Sequence, residues 1–570
     1  MRFKIIENII FSTLVLICFA LVYMQVIKGK NYFNLSLHNR IRVIPIEGPR
    51  GRILDRNGLV LADNRLAYHV GVISQDIDDL DSLFNFLGGV LNKKPSFFKN
   101  QFLGKFKTSF TPVILAKDVD QKIIMTIEES RFQYPGLVVE KTYQRYYPFA
   151  QTNAHAVGYV GKMDPQEAEV LQEYGYSPLS DVGKTGVEKT YDSVLRAQVG
   201  GRQIEVNSRG QQVRLLGFKE PSAGKDIQLT IDQRIQSTAD ELLGQRPGAI
   251  VVMNMDNGEL LGLVSSPSFN PNAFINRDQQ EKMLSYIRDS KSPLLDRALS
   301  GQYPPGSVFK IPVALAGVEL KKITRDTSYD CPGFYMLGDA KFGCAHVHGR
   351  ENLNDAIAHS CNVYFYHVGQ ILGARIIEQY AKAFGLGRVT GIDLPFEASG
   401  QVIGHAKAGY RWYTGNTLNF SIGQGDTLST PLQLTVLSAA VANDGVILRP
   451  HVIKAMDYKD LQQPDISKLP IIRLHDETWR LIQQGMRSVI TDHEGTAHLL
   501  NDLGGMSVFG KTGTAQAGGN KSNHAWFVGY LRSPKFNLAF CVFLENGGSS
   551  ANAVEITHQL LSRMQLQGII

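Results

Sequence analysis

The chain has 570 residues, of which 43% are hydrophobic and 20% charged, so at about 150 residues per module it holds three or four. That composition excludes a disordered, collagen-like or polytopic membrane chain. Fifty-nine Lys and Arg against 53 Asp and Glu leave a net charge of +6, too little for the basic field that recruits nucleic acid.

Residues 9–27 (IIFSTLVLICFALVYMQVI) run for 19 residues without a charge, Pro or Gly, long enough as a helix to cross a hydrocarbon core. Arg2 and Lys4 precede the run, which by the positive-inside rule keeps the N-terminus cytoplasmic, although Lys28 and Lys30 weaken the asymmetry. A cleaved signal peptide is the alternative, but the run exceeds the usual apolar region and no small-x-small cleavage site follows Val26 and Ile27. Val15, Leu16 and Ile17 before Cys18 are not the small residues of a lipoprotein cleavage site. Residues 1–30 therefore read as a cytoplasmic tip and transmembrane anchor in the inner membrane. No later stretch has 18 consecutive apolar residues, so the remainder is expected to be water-soluble and extracytoplasmic (periplasmic).

Residues 31–225 are rich in short β-type segments punctuated by Gly and Pro, with an Asn57-Gly58 turn signal. Helical spacing is mostly absent there, apart from 118–131 and 164–174. Gly200, Gly201 and PSAGK (221–225) mark a break. Beyond it, QRIQSTADELL has helical spacing and GAIVVMNMDNGELLGLVSS reads as two strands around a turn. Helices are predicted over 308–320, 354–372, 375–384 and 552–564, and strands over SVFGKTGTAQ, HAWFVGYL and FNLAFCVFL. Strands at both ends of a helical middle imply an α/β sheet whose sequence-distant strands are neighbours. The expected organisation is an anchor (1–30), an extended mixed α+β module (31–225) and an α/β domain (226–570).

Residues 303–310 are YPPGSVFK. Pro304, Pro305 and Gly306 stop regular structure and start a helix at Ser307, which places its hydroxyl at the positive end of the dipole with Lys310 on the same face. A serine hydroxyl needs a base, and a lysine serves only where burial or nearby cations leave some amine neutral. About two SxxK matches arise by chance in a chain of this length. Two further motifs change that weighting. Ser360, Cys361 and Asn362 form an SxN triplet 53 residues after Ser307, where a helix-borne hydroxyl and amide could meet the Lys310 amine. Lys511, Thr512, Gly513 and Thr514 form KTGT beside an apolar strand, with Gly513 sparing side-chain bulk where a substrate approaches.

In this order the three motifs resemble the penicilloyl-serine transferase site. The chain resembles a class B penicillin-binding protein, within it the penicillin-binding protein 2 branch of elongation D,D-transpeptidases. Also carrying the resemblance are RGRILDRNGLVLA (50–62), RYYP (145–148), GKTGVEKTYD (183–192), VSSPSFNPN, SIGQG (421–425) and HAWFVGY. The first three resemble pedestal motifs, which imply structural contacts and no chemistry. The resemblance implies a serine β-lactamase-like catalytic domain, a dimerisation-type pedestal, and crosslinking of peptidoglycan during elongation and rod-shape maintenance. Ser307 would attack the carbonyl between the two terminal D-alanines of a stem peptide and Lys310 would accept its proton. Ser360 and Asn362 would orient the amine and relay the proton to the leaving D-alanine. Lys511, Thr512 and Thr514 would hold the substrate carboxylate, Gly513 completing that strand, and the N–H groups of Ser307 and Thr514 would form the oxyanion hole. An amine of a second stem would resolve the ester, and β-lactams would acylate Ser307. The implied partners are stem peptides, β-lactams, the membrane, a RodA-like glycosyltransferase and an MreC-like organiser, with no nucleic acid. Rival readings are a septal class B transpeptidase, a D,D-carboxypeptidase or β-lactamase, and a scaffold or β-lactam sensor.

Cys331, Cys344, His348 and Cys361 are spaced 13, 4 and 13 apart. Three thiolates and an imidazole suit tetrahedral structural Zn2+, with no cofactor needed for the chemistry. Relatives of this family can bear carboxylates at the first two positions. A Cys331–Cys344 disulfide, natural outside the cytoplasm, is the competing reading. Asp330 and His346 are reserve ligands, Cys541 reads as core, and His524 and Trp526 as cleft or packing residues.

Overall fold

A computed structural model describes residues 2–30, 32, 41–77, 79–105, 112–134, 136–173, 180–207, 212–275, 279–405, 411–455, 471–504, 506–519 and 521–570. The N-terminal run forms a helix, Arg2–Val22, continued by a π-helical turn, Tyr23–Ile27. The 25-residue span Phe3–Ile27 has a mean hydropathy of 2.4 in its most apolar window, and none of that window is buried in the protein. Among the described residues it is the one helix long and apolar enough to cross a membrane. Its length and unpacked apolar surface fit a single-pass anchor.

By compactness the chain divides into two units that interleave along the sequence. One comprises Met1–Gly51, Asn64–Gln144 and Arg196–Lys225; the other comprises Arg52–Asp63, Arg145–Leu195 and Asp226–Ile570. Segments 52–63 and 145–195, which the sequence groups with the extended module, thus cluster with the larger unit.

The smaller unit carries a three-stranded antiparallel sheet of Ile41–Ile46, Gly200–Val206 and Gln212–Lys219. It also has an apolar core that includes Val70, Leu83, Phe84, Leu87, Phe98 and Ile127. Two helices there, Leu80–Val90 and Pro95–Lys105, are not predicted from sequence. The first starts where the Asp79 carboxylate accepts from the Ser82 N–H, and it buries Leu83, Phe84 and Leu87. The predicted 118–131 segment is the helix Gln121–Glu129, capped by Asp120 and burying Ile124 and Ile127.

The larger unit is built on a five-stranded antiparallel sheet. Its order is Leu260–Ser266, Gly248–Asn254, Asn537–Leu544, His524–Arg532, Ser507–Ala515. The expected meeting of sequence-distant strands is its centre, where Gly248 pairs with Leu544 and Asn254 with Leu538. Its inner strands are apolar at nearly every position because both faces are covered. Helices Gln233–Leu243 and Ser550–Leu566 pack on each other and on the sheet, and the wholly buried helix Pro431–Ala442 packs on three of its strands.

Two predicted helices are broken where the chemistry sits. The 308–320 segment opens as a 3-10 turn, Gly306–Phe309, and becomes α-helical only at Lys310–Glu319. The 354–372 segment divides into Leu353–Ala358 and Asn362–Leu372, because Ser360 between them adopts a left-handed backbone with φ +59°. Periodicity continues across that break, so sequence spacing alone does not reveal it. Elsewhere 164–174 forms Pro165–Gln172 with an Asp164/Glu167 capping box, and Tyr174 lies outside the described residues. Strand Ile53–Leu54 runs parallel to Ile227–Leu229, and the Asn57-Gly58 turn forms with Gly58 at φ +86°. RYYP and GKTGVEKTYD meet through a buried ion pair, Arg145 Nε to Glu188 Oε1 at 2.6 Å, and the Tyr147 hydroxyl donates to the same oxygen at 3.2 Å. An ion pair with this burial specifies how its segments meet more than it adds stability.

Candidate active site

The turn that presents Ser307 depends on Gly306. Its φ of +53° lies in the left-handed region, and a Cβ there would come within 2.7 Å of the Thr514 carbonyl oxygen. The Gly306 N–H donates to the Gly423 carbonyl at 3.1 Å. Gly423, within SIGQG, is likewise left-handed, and a Cβ on it would lie 2.3 Å from the Gly306 oxygen. Two backbones that close admit no side chain between them. The sequence pattern contains SIGQG but does not disclose this packing. Pro304 is fixed from the sheet side by the Trp526 indole N–H, which donates to its carbonyl at 3.0 Å. Trp526 is fully buried and tilted against Phe543, so packing and this bond account for it.

Lys310 is the hub. Fully buried, its Nζ donates to the Ser360 carbonyl at 2.7 Å, to Ser360 Oγ at 3.3 Å and to Asn362 Oδ1 at 2.7 Å. The left-handed Ser360 turns its carbonyl and its hydroxyl toward the same amine. Burial lowers the Lys310 ammonium to about 8, against the opposing pull of Cys344, Cys361 and Cys331. A substantial neutral fraction at mildly alkaline pH is what a proton acceptor requires. Among the described residues no hydrogen bond joins Ser307 Oγ to Lys310 Nζ; bonds of this kind often tighten only when substrate is bound.

KTGT lies within the edge strand Ser507–Ala515. Gly513 faces the nucleophile turn, where a Cβ would touch the Pro305 oxygen and Val308 at 3.0 Å. Lys511 is fully buried and donates to the Thr512 carbonyl at 3.2 Å. Its ammonium is pushed well below the usual lysine range by burial and then by the charge of Lys310. Burial disfavours the charged form of both lysines, as the charge of Lys310 does that of Lys511, and an anionic ligand bound beside them would favour it. One residue the sequence reading misses is Thr496, whose Oγ1 lies 2.7 Å from Thr512 Oγ1. A solitary threonine outside any motif gives no sequence signal.

Cys331, Cys344 and His348 lie in or beside two short strand pairs, Tyr329–Cys331 with Gly349–Glu351 and Phe334–Leu337 with Ala340–Gly343, and Cys361 opens the helix Asn362–Leu372. One ligand atom from each of Cys331, Cys344, His348 and Cys361 lies within 4.8 Å of the others. His348 Nδ1 is 3.4 Å from Cys331 Sγ and 3.5 Å from Cys344 Sγ. Zinc bonds of about 2.3 Å to sulfur and 2.0 Å to nitrogen give a tetrahedral N–S edge of about 3.5 Å, so the four residues fit the ion. The Asn362 N–H donates to Cys344 Sγ at 3.2 Å, which links the cluster to the SxN turn. All five cysteines are unpaired thiols. The reserve residues Asp330 and His346 are outside the set. Cys541 is buried in the central sheet, and His524, lowered by burial, accepts from the Asn546 N–H at 3.1 Å.

The sequence matches the model of the penicillin-binding protein transpeptidase domain over residues 248–562 and that of the penicillin-binding protein dimerisation domain over 45–229. The chain belongs to the penicillin-binding protein transpeptidases. It is 31% identical to the peptidoglycan D,D-transpeptidase MrdA of Escherichia coli K12, over 95% of this chain and 90% of that protein. It is similar to the Helicobacter pylori penicillin-binding protein 2 solved in complex with MreC, with a TM-score of 0.82 and 28% identity, covering 93% of this chain and 99% of that one. It is also similar to a chain from a peptidoglycan synthase complex that coordinates polymerization and crosslinking, with a TM-score of 0.72 and 28% identity over 99% of this chain and 98% of the other. The resemblance and fold type expected from the motifs are thus those found.

Proposed function

We propose that Ser307, Lys310, Ser360, Asn362 and Lys511 carry out the chemistry and that Thr512, Gly513 and Thr514 hold the substrate. The protein is a peptidoglycan D,D-transpeptidase of the elongation type. The observation that carries the residue assignment is the buried Lys310 amine, shared by Ser360 and Asn362 within 3.3 Å. In the acylation step Ser307 Oγ bonds to the penultimate D-alanine carbonyl carbon and its proton passes to Lys310. The C–N bond to the terminal D-alanine then breaks, and that nitrogen takes a proton by way of Ser360. The N–H groups of Ser307 and Thr514 stabilise the oxyanion. An acceptor amine next displaces Ser307, returning the proton along the same path.

The functional division we propose is an anchor over 1–30, a pedestal over 31–225 and a transpeptidase domain over 226–570, with the catalytic part outside the cytoplasm. Cys331, Cys344, His348 and Cys361 would hold a structural zinc ion, whose role when bound is to brace the loop behind Ser360. An MreC-like organiser and a RodA-like glycosyltransferase are the proposed partners, supported by the likeness to a chain solved with MreC and to one from a peptidoglycan synthase complex.

The test is the full-length protein in detergent with a synthetic stem peptide ending in D-Ala-D-Ala and an amine acceptor. Cross-linked product that disappears in Ser307→Ala is expected. D-alanine release without cross-linking would favour a carboxypeptidase, and product formation by Ser307→Ala would overturn the nucleophile assignment.

A further inference from the structure

Thr496 lies beyond the helix Asp476–Thr491, on a tight turn in which a Cβ at Gly495 would be 2.5 Å from the Val489 oxygen. From that turn one residue reaches both walls of the site. Its N–H and its hydroxyl each donate to the Ala358 carbonyl at 3.2 Å. Ala358 ends the helix that leads into Ser360. On the other side Thr496 Oγ1 is 2.7 Å from Thr512 Oγ1, in the middle of KTG. Thr512 is buried, whereas Thr496 sits on the exposed rim.

We propose that Thr496 is a positioning residue that aims the Thr512 hydroxyl at the carboxylate of the substrate or β-lactam. The proposal rests on the reading that Thr512 and Thr514 hold that carboxylate. Proton counting gives the mechanism, since each hydroxyl has one proton to donate. In the free site Thr512 donates to Thr496 Oγ1, and Thr496 donates to the Ala358 carbonyl. A bound carboxylate accepts only, so Thr512 turns its proton to it. Thr496 then turns its own proton to Thr512 Oγ1. The Ala358 carbonyl stays satisfied by the Thr496 N–H, so nothing buried loses its partner. The two-hydroxyl chain ends on an anion, where each donor strengthens the next. The same switch releases one of the two bonds tying the KTG side to the SxN helix at the moment substrate arrives.

The test measures acylation of the full-length protein by benzylpenicillin and by its methyl ester, which lacks the ionised carboxylate. Thr496→Val should raise the apparent dissociation constant for benzylpenicillin roughly tenfold, the worth of one hydrogen bond. The acylation rate at saturation should hold, and the methyl ester should be unaffected. Thr496→Ser keeps the hydroxyl and should restore benzylpenicillin binding. In a Thr512→Val background the second substitution should cost nothing further, as a residue acting only through Thr512 requires. Equal losses for acid and ester, an unchanged Thr496→Val, or a full penalty retained in the Thr512→Val background would each overturn the proposal. The underlying reading fails separately: if Thr512→Val alone leaves benzylpenicillin binding unchanged, the carboxylate assignment falls and the proposal with it. Thr496→Ala repeats the comparison should Val disturb the fold by its shape.

Discussion

The two walls that converge on Lys310 are held by different physics. The nucleophile side is gripped by backbone and core: Gly306 bonds to Gly423, Trp526 bonds to Pro304, and KTG belongs to a five-stranded sheet with buried inner strands. The SxN side also leans on two short strand pairs, only partly buried, joined to it through three thiols and an imidazole. Apolar burial places the first wall. The helices of the second bury Leu353, Ile357, Val363, Phe365 and Val368 as well, but the turn between them is also tied to a polar cluster that a metal would complete. If Lys310 is the base we propose, its placement depends on that turn as much as on the core.

The largest expected effect comes from removing the contact between them. Lys310→Ala should slow β-lactam acylation at least about a thousandfold, read from the rate of covalent labelling, with the melting temperature held or raised because a buried cation is removed. A small change in rate would separate the two walls functionally.

Next, stripping metal with a chelator, or substituting His348→Ala, should slow acylation about 10- to 100-fold and lower the melting temperature, with zinc in the untreated protein measured by elemental analysis. Gly306→Ala should leave zinc content unchanged. The same variant should cost about 2 kcal/mol or more, because it forces a left-handed φ and a Cβ onto the Thr514 oxygen, read by denaturant unfolding. Loss of zinc without loss of acylation would show that the strand pairs stand unaided.

The pH dependence sharpens the comparison at lowest amplitude. The Lys310 ammonium is lowered to about 8 by burial, and in the proposed mechanism the neutral amine is the base. Acylation should therefore climb with pH, by up to about tenfold per unit below that value, and level off above it. A rate flat from pH 6 to 9 would show that Lys310 does not act as the base.

Much of this was legible in advance, and the legible part is chemical. SxxK, SxN and KTG name their residues wherever the chain carries them, and the alternation of strands with a helical middle gives the sheet. What was not legible is set by tertiary contact. Ser360 breaks an apparently continuous helix because its carbonyl is taken by a lysine 50 residues away. Segment 145–195 joins the rest of the larger unit through Asn153, which donates to Gln233 at 2.7 Å, and Tyr191, which donates to Asp393 at 3.0 Å, pairings across 80 and 202 residues that local periodicity cannot report. Helix Pro95–Lys105 has little apolar periodicity of its own and is set by the core around Phe98 and Phe102. Thr496 belongs to no motif, and only its distance to Thr512 gives it a role.

The central claim is that Ser307 is acylated at a site completed by Lys310. Intact-mass measurement of the full-length protein after benzylpenicillin tests it most directly. One stable adduct of the mass of the antibiotic on the wild-type chain, absent from folded Ser307→Ala, is the result this account predicts. An adduct that persists in Ser307→Ala, or none on the folded wild-type protein, would contradict it.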